Sequence, residues 1–301
     1  MRRLRIALIF TLAATAGAQA PRTSLLITPA WLAEHAKDPN LVLLHVGDKA
    51  EYEKSHIAGA RLISTQDVSV SSADRETGLL LEMPTVDSLR IMLERLGISD
   101  NSHVVVYYGG DWVPQTTRIM LALDYAGFGA RSSVLDGGMG AWKESGLSVT
   151  ADASRPVVSG KVSPLKVNPV VTDAAYVQAH LNDPAFHLID ARAKVFFDGV
   201  QQGRAPSRNG HVAGARSIPF TDVSDEKSRF KPVGELAKLF ENAGIGPRDT
   251  VVAYCHIGQQ ATAVLFAARM LGHPVLLYDA SFQEWGRRVD LPIENPSEKK
   301  P

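Results

Sequence analysis

Four stretches of this chain occur twice, in the same order and about 150 residues apart. "SHIAGARLI" at Ser55–Ile63 returns as "GHVAGARSI" at Gly210–Ile218. "LVLLHVGD" at Leu41–Asp48 precedes the first, and "FHLIDARA" at Phe186–Ala193 precedes the second. "HVVVYYGGD" at His103–Asp111 matches "TVVAYCHIG" at Thr250–Gly258, and "RSSVLDGGMGAW" at Arg131–Trp142 matches "HPVLLYDASFQEW" at His273–Trp285. Solenoid repeats run to roughly 20–50 residues. A single doubling at this spacing means two domain-sized copies of one fold, each of ordinary domain length. The stretch between them, "TADASRPVVSGKVSPLKVN", is rich in Pro, Ser, Gly and Ala and reads as an extended linker.

Each copy alternates compact apolar runs with helical patterns. "HLID" and "TVVAY" are short, apolar and bounded by polar or turn residues, as buried parallel strands are. "ELAKLFENAG" and "ATAVLFAARMLG" carry helical spacing and end at glycines suited to a left-handed C-cap. Strand–helix alternation predicts an α/β fold: two domains side by side, each a mostly parallel sheet flanked by helices. The expected extents are 24–149 for the first domain, 150–168 for the linker and 169–295 for the second. A hydrophobic content of 45% against 21% charged residues supports packed cores rather than disorder. Lysines and arginines equal acidic residues in number, so there is no electrostatic footprint for nucleic acid.

The first twenty residues, "MRRLRIALIFTLAATAGAQA", have a basic start, a short apolar run and an Ala18-Gln19-Ala20 cleavage site. The run is shorter than the roughly 20 residues needed to span a bilayer. A signal peptide over 1–20, cleaved after Ala20, predicts a periplasmic or secreted protein without lasting membrane contact. The general secretory route is expected, because Arg2-Arg3 lacks the rest of a twin-arginine motif.

One cysteine, Cys255, serves the whole chain. It cannot form an internal disulfide, a CxxC redox pair or a multi-cysteine zinc site. It falls at the carboxyl end of a predicted central strand, where open parallel sheets bind ligands. The loop His256-Ile257-Gly258-Gln259-Gln260 follows and leads into a helix starting near Ala261. Such a loop turns backbone N–H groups and the positive end of the helix dipole toward one point. Gly258 permits the tight backbone. Thiols at helix N-termini are more acidic than free cysteine, whose pKa is about 8.5, and are nucleophilic as thiolates.

The "HIAGA/HVAGA" repeats, the loop "CHIGQQAT" and "YDASFQEW" together resemble the tandem-domain rhodanese family of sulfurtransferases, over nearly all of the chain beyond residue 20. The resemblance implies two rhodanese-like domains of which only the second keeps the catalytic cysteine, since Tyr108 or its glycine neighbours stand in the Cys255 place. It implies sulfur transfer through a Cys255 persulfide held by the loop 256–261, from a small-molecule donor to a small-molecule acceptor, with no metal or organic cofactor. It places Asp190 and Arg192 beneath the loop, as a structural ion pair or a substrate contact. The first copy has His45 and Gly47 in their places. Some relatives carry a donor-binding arginine four residues beyond the Arg192 position; here that residue is Phe196. The loop backbone, a cationic His256, Arg192 and Arg204 remain as ways to neutralise the donor.

His211 reads as structural, tying down a small-residue turn, because the cysteine-free copy carries the matching His56. Asp111 and Trp112 are candidates for the cleft wall, and Trp142 and Trp285 for core or interdomain packing. A phosphatase built on a related fold would need Cys-x5-Arg, and Ala261 occupies the arginine position. A persulfide carrier without turnover is the non-enzymatic alternative. Thiosulfate is the expected donor and 3-mercaptopyruvate the alternative. A monomer is expected.

Overall fold

The structure, a computed structural model, describes residues 25–74, 77–110, 112–153, 157–203 and 207–298. The expected signal peptide over 1–20, residue 24, Asp111 and Arg204 lie outside the described residues. The first half runs β1 (Leu26–Ile27), α1 (Pro29–His35), β2 (Leu41–Val46), α2 (Lys49–Lys54), β3 (Arg61–Ile63), α3 (Val86–Arg95), β4 (His103–Tyr108), α4 (Val113–Tyr125), β5 (Ser132–Leu135) and α5 (Gly138–Glu144). The second half runs β6 (Val171–Thr172), α6 (Ala174–His180), β7 (Phe186–Asp190), α7 (Lys194–Phe197), β8 (His211–Val212), β9 (Arg216–Ser217), α8 (Val233–Asn242), β10 (Thr250–Tyr254), α9 (Ala261–Met270), β11 (Val275–Tyr278), α10 (Ser281–Trp285) and β12 (Ile293–Glu294).

The duplication is exact in topology. The sheets are ordered β1-β5-β4-β2-β3 and β6-β11-β10-β7-β9, with all neighbours parallel. In register, His45 pairs with Tyr107 as Asp190 pairs with Tyr254, so Tyr108 occupies the place of Cys255. In the second half an antiparallel pair, β8 with β12, closes the carboxyl end against the "HV" turn, where the first half makes a single bridge between His56 and Thr150.

Alternation along the strands sorts the cores. Val104, Val106 and Tyr108 face the same apolar cluster as Val251, Ala253 and Cys255. Val105 and Tyr107 face a separate outer cluster in the first half, and Val252 and Tyr254 another in the second. The inner cluster is therefore common to both halves, and α4 packs on α9 within it. Every residue of α9 is buried, which its nearly all-apolar sequence allows. Trp142 and Trp285 are buried in the outer clusters of their own halves, so they pack cores and not the interface.

The described part of the linker has no helix and is strapped to the first half. Gly160 N donates to Glu94 O (2.8 Å), Ser163 N to Asp100 Oδ1 (2.9 Å) and Asn168 N to Tyr125 O (3.0 Å). Among the described residues no helix is long and apolar enough to cross a membrane.

Candidate active site

Strand β10 is central, and the chain turns at its carboxyl end into the loop that opens α9. Cys255 sits in that turn with 0% exposure. Its N–H donates to Ser281 Oγ (3.2 Å), its carbonyl accepts from Phe282 N (3.0 Å), and the next carbonyl, His256 O, accepts from Gln283 N (3.0 Å). The "DASFQ" segment thus clamps the cysteine backbone. Ser281 holds a left-handed φ of 54° while its hydroxyl donates to Tyr278 O (2.9 Å). A non-glycine residue in that region is strained.

Beyond the clamp the loop is unsatisfied by design. The N–H groups of His256, Ile257, Gly258, Gln259 and Gln260 find no protein acceptor among the described residues. Buried or half-buried backbone donors are normally paired, so a run of free ones at a helix start is a cradle for negative charge. Gly258 has φ +77°, and a Cβ there would sit 2.7 Å from Asp279 O. Only glycine fits. Gln259 O accepts from Thr262 N (3.1 Å) and Gln260 O from Ala263 N (3.1 Å), which starts the helix at Ala261 as expected. Gln260 Oε1 is buried without a partner.

Asp190 and Arg192 meet in a buried pair. Arg192 Nε donates to Asp190 Oδ1 (2.9 Å), and Nη2 donates to Asp190 Oδ2 (2.5 Å) and to Gly210 O (2.7 Å). Tyr254 OH donates to Asp190 Oδ2 (2.8 Å), and the guanidinium lies 3.9 Å above the Phe282 ring. Burial works against the arginine's charge, but the Asp190 carboxylate outweighs it and raises its pKa further. Most of this guanidinium is committed to structure; Nη1 alone carries no protein hydrogen bond among the described residues.

His256 does not bring the positive charge expected of it as one way to neutralise the donor. Burial, and then the charge of Arg192, push its imidazole down to about 4, so it is neutral near pH 7. Its ring lies edge-on to Phe196 (4.6 Å), the residue standing in the place of a donor-binding arginine, and Gly203 closes on its Nδ1 side. His211 is structural in geometry: Nδ1 bonds Phe197 O (2.7 Å), and the ring stacks on Phe197. His56 does the same with Tyr52 O (2.8 Å) and the Tyr52 ring. Trp112 is half-exposed in an interdomain groove, edge-on to Phe220 across the interface (5.0 Å).

The matching place in the first half is closed. Tyr108 fills the cysteine position and donates to Ser228 O of the second half (2.6 Å). His45 fills the Asp190 position, bonding Tyr107 OH (3.0 Å), and its Nε2 takes the space that a side chain at Gly109 would need. Gly109 N donates to Val46 O (3.0 Å), where the matching His256 N is free. The rhodanese-like domain family matches the chain twice, over residues 28–145 and 173–288. The chain belongs to the rhodanese family of sulfurtransferases. A thiosulfate/3-mercaptopyruvate sulfurtransferase of Arabidopsis thaliana is 30% identical, across 88% of this chain and 76% of its own. A probable 3-mercaptopyruvate sulfurtransferase of Pseudomonas aeruginosa is 33% identical, across 86% of this chain and 94% of its own. Among solved structures, the Escherichia coli 3-mercaptopyruvate sulfurtransferase SseA superposes with a TM-score of 0.73 at 25% identity, across 85% of this chain and 97% of that one. YnjE gives 0.82 at 22% identity, across 93% and 70%.

As a rhodanese, the chain has its cysteine loop where the sequence places it. Sequence reading missed the residues that hold that loop: Ser281 and Gln283 in the clamp, and Asp279 and Arg118 at the interface. A signal was present for Arg118, a lone cation in the apolar helical run "TTRIMLALDY", and the structure buries it completely.

Proposed function

We propose that the protein moves sulfane sulfur from thiosulfate to a thiophilic acceptor, cyanide or a thiol, through a persulfide on Cys255. The Cys255 thiolate attacks the outer sulfur of thiosulfate. The sulfur–sulfur bond breaks, and sulfite leaves with its electron pair. The acceptor then attacks the terminal sulfur of the persulfide and returns Cys255 as thiolate. Two half-reactions on one nucleophile predict ping-pong kinetics.

The run of free N–H groups from His256 to Gln260 carries this reading, because both donor and persulfide are anions that such a cradle stabilises. The neutral His256 and the uncharged Phe196 favour a second reading, 3-mercaptopyruvate, since a singly charged donor asks for less compensation than a dianion. Export after cleavage of residues 1–20 and a monomeric state complete the proposal.

Intact-mass measurement after each donor tests it. A gain of about 32 Da on the Cys255 peptide, absent in Cys255→Ser, supports persulfide chemistry; release of sulfite or of pyruvate assigns the donor. No gain with either donor on a reduced thiol would leave a carrier or binding module.

A further inference from the structure

The cysteine loop is held from outside its own half. Arg118 projects from α4 of the first half with 0% exposure. Its Nη1 donates to Gly258 O (3.2 Å) and to Asp279 Oδ1 (2.6 Å), and its Nη2 donates to Leu81 O. Asp279 is held in turn by Met83 N on its other oxygen (2.6 Å). Beside this pair, Thr117 Oγ1 bonds Thr262 Oγ1 (2.7 Å), and Thr262 Oγ1 donates to Pro114 O (3.3 Å). The first turns of α4 and α9 are thereby fastened next to the loop.

We propose that Arg118 is a positioning residue for sulfur transfer: by fixing the Gly258 carbonyl, the cysteine-free half sets the direction of the cradle that receives the sulfur. The peptide plane supplies the lever. In a trans peptide the C=O and the following N–H point in opposite directions. Anchoring Gly258 O on Arg118 therefore turns the N–H of Gln259, one of the free donors, away from the interface. Gly258 is held to a left-handed backbone whose side-chain direction is blocked by Asp279 O.

Two further observations separate this role from simple cohesion. A buried ion pair adds little stability over apolar residues of the same size, and this one leaves Arg118 Nε buried without a partner. The device also runs one way. Counted back from Gly127 and Gly272, the left-handed glycines that follow α4 and α9, Thr117 matches Thr262 and Arg118 matches Ala263. No cation reaches from that position into the first half, whose loop bears no thiol.

The inference rests on the sulfurtransferase reading, and the test keeps the two apart. Arg118→Met, Arg118→Lys and the double variant Arg118→Met with Asp279→Asn are compared in the full chain. The expected result is a fall of roughly 10- to 100-fold in kcat for loading Cys255, with donor KM changed less than about threefold, and partial recovery in the lysine variant. The double variant removes both charges, so it remains folded where a lone buried Asp279 is not tolerated. A second readout needs no sulfur donor. The ratio of Cys255 alkylation rates by iodoacetate and by iodoacetamide reports whether the cradle favours an anion, and it should fall by about tenfold. General loosening of the loop would speed both reagents alike. An unchanged ratio, or loading kinetics within twofold of wild type in the folded double variant, overturns the proposal. If the wild type accepts sulfur from no donor, the functional reading falls, and the alkylation ratio alone decides the place of Arg118.

Discussion

The two halves share one fold and part company at one strand end. In the second half the strand delivers a thiol into a loop of free donors. In the first, Tyr108 closes the same place, His45 takes the space beside Gly109, and Gly109 N is spent on Val46 O. The lesson is that a nucleophile alone does not make this site. The loop also forgoes hydrogen bonds, one of which the cysteine-free copy makes at the matching place, between Gly109 N and Val46 O.

The largest effect should come from exchanging the nucleophile. Cys255→Ser should lower sulfur transfer more than about a thousandfold in a sulfite-release assay. Adding Tyr108→Cys to that variant should restore nothing, because Gly109 N, at the His256 place, is already bonded to Val46 O; an adduct of about 32 Da on the new thiol would break the comparison. Next comes the pair beneath the loop. Asp190→Asn leaves the Arg192 charge buried and unmatched, and should cost about 3–5 kcal/mol in denaturant unfolding.

The glycines give a smaller contrast. Gly258→Ala forces a side chain into a left-handed backbone against Asp279 O and should reduce turnover about tenfold. Gly110→Ala, in the matching loop with nothing within 4 Å, should change stability by less than about 0.5 kcal/mol.

The smallest effect concerns charge at the interface. Met83 N bonds Asp279 as Phe230 N bonds Asp136, so Glu82 and Arg229 hold equivalent positions. Arg229 pairs with Glu144 (2.6 Å), but Glu82 Oε1 is buried unpaired. Burial first, and Asp279 second, raise the Glu82 carboxyl to about 7. A carboxyl whose pKa is raised by folding stabilises the fold fully below its unfolded value, near 4.5, and loses that contribution as pH climbs through about 7. Glu82→Gln should therefore raise Tm by about 2–4 °C at pH 8 and have no benefit at pH 4, read from melting curves across pH.

What could be read from the sequence follows from range. β7, β10, α8 and α9 announce themselves through local periodicity, and Cys255 through its solitude and its place between strand and helix. The duplication exposed the pairing of Asp190 with His45 and of Cys255 with Tyr108. Hidden were contacts that join distant positions: Arg118 to Asp279, Gln283 to the Leu80 backbone, and β12 to β8, whose two-residue strands carry no period. The neutrality of His256 was hidden too, since it depends on enclosure by Phe196 and Gly203 and on Arg192, none adjacent in sequence.

The inner apolar cluster running through both sheets has a thermodynamic consequence. Domains joined by a small polar interface melt separately, whereas these two would each expose the flank of a buried helix if parted. Calorimetry on the whole chain should show a single endotherm in which calorimetric and van't Hoff enthalpies agree. A protease nick in the linker should leave the halves associated, still melting as one.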